Sequence, residues 1–286
     1  MFKNTMKTGV LLASLGGLIV AVATMLGGRG GATIGLVLAF VMVGGSYWFS
    51  DKLALKSARA RVITEADHPE FYGMVRSLAE RANLPMPTVA IAPSDQPNAF
   101  ATGRGPKKAV VCATEGLLTS MPRAEVEAVM AHELMHVKHR DILIGSVAAA
   151  IATAISYVAQ MAMFASMFGG NSNDEDRPNP IAVMAMALLA PMAAGLIQMA
   201  VSRSREFEAD RGAAELLGSG RELANALERI EQLAVRRPMA VAPAQAQMYI
   251  HNPLAEAHGG KNAATMARLF STHPATEERI RRLRGM

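Results

Sequence analysis

A mainly α integral membrane protein, with four transmembrane helices and a cytosolic α+β block bearing a small sheet, is the fold this sequence predicts. Three observations point to it. Of the 286 residues 51 % are hydrophobic and the mean hydropathy is positive, which is high for a chain that stays in water. Charge is segregated, with long runs that carry none and intervening stretches dense in Lys, Arg and Glu. Those stretches hold both amphipathic helical spacing and short β-branched runs.

Crossing roughly 30 Å of hydrocarbon takes about 20 apolar residues. Four runs qualify: Gly9 to Gly27, Thr33 to Phe49, Ile142 to Phe168 and Ile181 to Val201. The first two read as a helical hairpin turning at Gly27-Gly28-Arg29-Gly30-Gly31. A cleaved signal peptide is the weaker reading of the first, because the second run follows at once. Lys3 and Lys7 precede the first run, Lys52, Lys56, Arg59 and Arg61 follow the second, Lys138 and Arg140 precede the third, and Arg203 and Arg205 follow the fourth. The positive-inside rule then places both termini and both polar blocks in the cytosol, with the acidic loop Asn173-Asp174-Glu175-Asp176 on the far side. The chain divides into a hairpin (1–50), a cytosolic block (51–141), a second pair of spans (142–201) and a second cytosolic block (202–286). A buried hairpin in a soluble core is the competing reading of the third and fourth runs.

Residues 51 to 84 read as one amphipathic helix leaving the membrane, with Phe71, Met74, Val75 and Leu78 on a common face. Thr88-Val89-Ala90-Ile91-Ala92, Asn98-Ala99-Phe100-Ala101-Thr102 and Ala109-Val110-Val111-Cys112 read as strands of a small sheet. The single cysteine, Cys112, lies in the last of these, so an intrachain disulfide is impossible and a buried strand thiol is its reading. A helix then starts near Ser120-Met121-Pro122, with Ser120 as cap, and runs to Arg140.

That helix carries His132-Glu133-Leu134-Met135-His136. Residues four apart project from one face, so the two imidazoles can share one cation, for which zinc is the expected metal. Glu133 is rotated about 100° from His132 and stands beside an open coordination position. There it can take a proton from the attacking water and pass it to the leaving amine. A catalytic zinc needs a third protein ligand. The extended metzincin pattern would need Gly and His where the chain has His139 and Ile142, so the ligand comes from elsewhere. In Glu206-Phe207-Glu208-Ala209-Asp210, Glu206 and Asp210 share a helical face and Glu208 points about 160° away. This makes Glu206 the third metal ligand and Asp210 the carboxylate that orients a histidine. A pairing of the third and fourth spans would bring both segments to one membrane face.

With these motifs in order, the sequence resembles the HtpX-type membrane metallopeptidases, relatives of the CAAX prenyl endopeptidases. The resemblance spans nearly the whole chain, from the hairpin through Asn98-Ala99-Phe100-Ala101 and the two motifs to Thr272-His273-Pro274. It implies a gluzincin-like zinc endopeptidase of the bacterial inner membrane, stress-linked, cutting misfolded or damaged membrane proteins on the cytosolic side. It also implies that Asn98, Ala99, Phe100 and Ala101 form an edge strand aligning an extended substrate, against a purely structural strand as the alternative. His273 is placed either as an oxyanion stabiliser or as a cap or packing residue of the basic helix that follows. The Pro- and Ala-rich stretch from Arg236 to Gly260 reads as a cover over the cleft.

Other function classes fit less well. The net charge of +5 sits beside apolar runs rather than in an aromatic-interleaved patch, so no nucleic-acid partner is expected; the expected partners are the bilayer and unfolded membrane proteins. A transporter would need ionisable groups inside its spans, which these runs lack. A silent scaffold with structural zinc would need a closed fourth position, for instance His139, and has no use for Glu133.

Overall fold

The computed structural model describes residues 2–142, 204–236, 249–250 and 274–286. The fourth apolar run, the third beyond Ile142, the acidic loop, His273 and most of 236–260 lie outside the described residues. Among the described residues no helix is long and apolar enough to cross a membrane. The expected four spans therefore gain no support from helix length and hydropathy.

The first element, α1 (Phe2–Ser57), is helical throughout but not straight. Gly28 sits at φ +55°, a left-handed conformation that glycine adopts without steric cost. A Cβ on Gly35 would lie 2.6 Å from Ala23 Cβ, and one on Gly16 would lie 3.9 Å from Ala39 Cβ. In a straight helix, positions this far apart in sequence stand about 18 Å or more from one another. The chain therefore folds back at Gly28, inside the Gly-rich turn that the sequence predicts. On its returning arm Ile34, Leu36, Val37, Phe40 and Val41 are between 59 % and 82 % exposed, an apolar face with no protein against it among the described residues.

Beyond Ser57 the expected single amphipathic helix is broken. Arg59 takes a positive φ of 51°, β1 (Arg61–Val62) follows, and α2 (Pro69–Arg81) begins only where Pro69 sets the first turn and His68 Nδ1 accepts from Phe71 N–H. The sheet has the order β1-β2-β4-β3, with β2 (Thr88–Ala92) parallel to β4 (Ala109–Thr114) and β3 (Ala99–Gly103) antiparallel to β4 at the edge. The three predicted strands are present; β1, two residues long, is additional.

Strand periodicity divides the sheet between two cores. Val89, Ile91, Ala99, Val111 and Ala113 join α2 and the central helices in the main core. Ala90, Ala92, Phe100, Val110 and Cys112 face a smaller cluster closed by Ala54 at the end of α1 and by Tyr249. Cys112 is thus a buried strand thiol, its pKa raised by burial and by the nearby Glu133 carboxylate.

Thr114 closes β4 and caps α3 (Glu115–Ser120), its Oγ1 accepting from Leu117 N–H at 3.2 Å. Ser120 thus ends α3 instead of capping the next helix. That helix, α4 (Arg123–His139), has Pro122 at its N-cap and no side-chain cap. It is buried on nearly all sides, packed against α2, β3, β4 and α6 (Arg221–Arg236). Its first turn is tied to α6 by Arg229, whose Nε donates to Glu125 Oε2 at 2.7 Å. The helix spanning residues 204–217, here α5, and α7 (Thr276–Leu283) complete the described fold.

Candidate metal centre

The site forms where α4 and α5 cross. Gly212 permits the approach, since a Cβ there would lie 2.8 Å from Met135 Cγ. His132 Nε2 and His136 Nε2 stand 3.1 Å apart, and Glu206 presents Oε2 at 3.5 Å to the first and Oε1 at 3.5 Å to the second. Ligand atoms of these three residues lie within 4.8 Å of one another, and they are the one such group among the described residues. His139 is not part of it.

The outer partners decide the tautomers. His132 Nδ1 lies 3.0 Å from Asp210 Oδ1, and His136 Nδ1 lies 3.2 Å from both oxygens of Asp141. Each ring can donate its Nδ1–H to a carboxylate, so that in the neutral form two Nε2 lone pairs and an acidic oxygen are directed at one small volume. Three acceptors facing each other repel unless a cation lies between them. Tetrahedral bonds of about 2.0–2.1 Å to nitrogen and oxygen require ligand atoms roughly 3.3 Å apart. The observed 3.1, 3.5 and 3.5 Å fit a resident divalent ion.

Electrostatics follow from burial and the carboxylates. Without a metal, burial lowers the His136 pKa, but Asp141, Glu206 and Glu133 outweigh it and hold it up at about 10. Burial raises the Asp210 carboxyl, but Arg279 and His132 overcome that and hold it down at about 2. Glu133, 3 % exposed, has its pKa raised chiefly by burial and by Glu206, against the pull of both histidines and Arg279. A carboxylate so placed is a stronger proton acceptor than one in water.

All five residues expected in the metal centre therefore come together: His132, Glu133, His136, Glu206 and Asp210. Two others belong to it that sequence reasoning did not find. Asp141 reaches His136 because α4 stops at His139 and Arg140, at φ 58°, reverses the chain, so that Asp141 N–H donates back to His136 O. The expected continuation of the helix through Arg140 is thereby corrected. The second is Arg279, fully buried on α7, whose Nε and Nη2 donate to Asp210 Oδ2 and Oδ1 at 2.8 and 2.7 Å.

The Asn98–Ala101 segment is at the sheet edge, and β3 packs against α4. Its first two residues are already engaged. Asn98 N–H donates to Thr114 Oγ1, Asn98 Oδ1 accepts from Ala99 N–H, and Ala99 O accepts from Ile250 N–H at 3.0 Å. Phe100 meets the Tyr249 ring edge-on at 5.2 Å between centroids.

Residues 65–286 match peptidase family M48. The chain belongs to that family. It is a metallopeptidase, a hydrolase of peptide bonds, and M48 peptidases use a metal ion. Proteins named "Protease HtpX homolog" from Methylibium petroleiphilum and Burkholderia mallei are 51 % and 52 % identical to it, over 99 % of this chain and 98 % and 97 % of theirs. The M48 fold also appears in the crystal structure of S. mikatae Ste24p, with a TM-score of 0.51 at 20 % identity. This chain is covered to 99 % there but spans only 65 % of the Ste24p chain.

Proposed function

We propose that this M48 peptidase is a zinc endopeptidase of the bacterial inner membrane that cuts unfolded or misfolded membrane proteins on the cytosolic side, as part of a stress response. The observation that carries the reading is the convergence of His132, His136 and Glu206 at tetrahedral ligand spacing, with Glu133 beside them. The exposed apolar face of the returning arm of α1, flanked by Lys52 and Lys56, supports attachment to lipid. Division into a hairpin, two cytosolic blocks and a second pair of spans belongs to the same reading. So does a substrate aligned along Asn98 to Ala101.

His132, His136 and Glu206 would hold the metal. A divalent cation held there would supply Lewis acidity for polarising a scissile carbonyl and for making water acidic near neutral pH. Glu133 accepts the proton of the attacking water and delivers it to the departing amine nitrogen. Asp210 and Asp141 keep each Nδ1 protonated, so that both Nε2 lone pairs stay directed inward.

Glu133→Gln tests the reading in full-length protein held in detergent. Zinc should stay bound while cleavage of an unfolded membrane substrate falls by about 10²–10⁴-fold, the scale of general acid–base catalysis. Undiminished cleavage would refute the assignment of Glu133.

A further inference from the structure

We propose that Arg279 is a positioning residue of the metal centre, holding the ligand Glu206 and the orienting Asp210 in one plane of contact and through them setting His132. The inference rests on reading this site as the peptidase metal centre.

Arginine is seldom wholly buried unless its charge is matched, yet Arg279 is 2 % exposed. Its guanidinium grips Asp210 with two parallel bonds, Nε to Oδ2 at 2.8 Å and Nη2 to Oδ1 at 2.7 Å. Its Nη1 lies 3.3 Å from Glu206 Oε2, and Nη2 lies 3.5 Å from both nitrogens of His132. One rigid planar group thus touches a metal-ligating carboxylate, a metal-ligating imidazole and the carboxylate that orients that imidazole. The fork fixes the Asp210 plane, and the oxygen taken by Nη2 is the one that faces His132 Nδ1 at 3.0 Å. Lysine, a point charge on a flexible stem, could not fix that plane.

Anchoring of α7 does not account for this buried charge, because the helix is docked by other means. Gly220, which precedes α6, lets the Leu283 backbone approach where a Cβ would collide. Leu283 is buried in the main core, Arg284 pairs with Glu228 at 2.7 Å, and Arg282 lies over the Phe207 ring at 3.8 Å. An apolar side chain at 279 would serve docking at no desolvation cost. What it could not do is hold two carboxylates in register beneath the histidines.

The test uses full-length protein in detergent. Zinc affinity is measured by competition with a chromophoric chelator, the visible spectrum is recorded after cobalt(II) substitution, and thermal unfolding of the metal-free form is followed in parallel. Arg279→Lys should weaken zinc binding about tenfold and Arg279→Gln up to about 100-fold, the range found for outer partners of metal ligands. Both should alter the cobalt spectrum. Asp210→Asn combined with Arg279→Gln should lose less than the product of the two single losses, since part of the Arg279 effect passes through Asp210 and the rest through Glu206. Wild-type affinity and an unchanged cobalt spectrum in Arg279→Lys would overturn the proposal, whatever happens to the melting temperature. The lysine variant, which keeps the charge, decides the matter even where Arg279→Gln fails to fold. Absence of zinc binding by the wild-type chain would instead remove the metal-centre reading itself, and this assignment with it.

Discussion

His136 meets its carboxylate five residues further along, where Asp141 turns back at 3.2 Å, whereas His132 meets Asp210, at 3.0 Å, from a helix that returns only after two more apolar runs. The first contact needs nothing beyond the end of α4 and the left-handed turn at Arg140. The second needs α5 packed through Gly212 and α7 docked with Arg279 inside. Exposure follows the same division, the His132 side chain being 0 % and that of His136 16 % accessible. One half of the centre is local and partly wet; the other is assembled and dry. The affinity of the site should therefore depend more on long-range packing than on the motif helix.

The largest effect should come from Glu206→Gln, which removes the metal ligand that α5 supplies. Metal content of the purified protein should fall below detection, a loss exceeding the roughly 10–100-fold that outer partners contribute. Asp210→Asn should come next, weakening zinc about 10–100-fold by the same chelator competition, because it exchanges the charged acceptor of the buried His132 for a neutral amide.

Acidity gives a third contrast. His136 in the metal-free protein holds its proton up to about pH 10, so a metal must displace it throughout the neutral range. Apparent zinc affinity should rise by about tenfold for each pH unit from 6 to 8 through this proton alone, and a flat profile would contradict it. Asp141→Asn should cost less, under about tenfold at pH 7. It loosens the ring but also relieves the proton competition, and an effect equal to that of Asp210→Asn would erase the distinction between the halves. Smallest of all, Arg76→Gln, which removes an exposed pair with Glu65, should leave zinc affinity unchanged and shift stability by less than about 1 kcal/mol in denaturant titration.

The helical period made much of this centre legible in advance. His132 and His136, and likewise Glu206 and Asp210, are placed by i to i+4 spacing, with Glu133 about 100° round from His132, and this holds wherever the helices go. The hairpin turn was legible because only glycine runs mark such a reversal so plainly, and β2 and β4 because β-branched residues cluster in them. What escaped lacked a local signature. Asp141 looks like any acidic residue after a helix until Arg140 is known to be left-handed. Arg279 is one of several arginines in a basic helix, and its burial against Asp210 is visible only in three dimensions. β1 is too short to alternate. The single helix expected over 51–84 failed because Arg59 and Pro69 set backbone angles that the apolar pattern does not encode.

The bond from Ile250 N–H to the Ala99 carbonyl gives the edge of β3 a resident occupant. Any further backbone donor reaching the Ala99 carbonyl meets one already in place, so at this point the sheet edge is not an open row of unpaired groups.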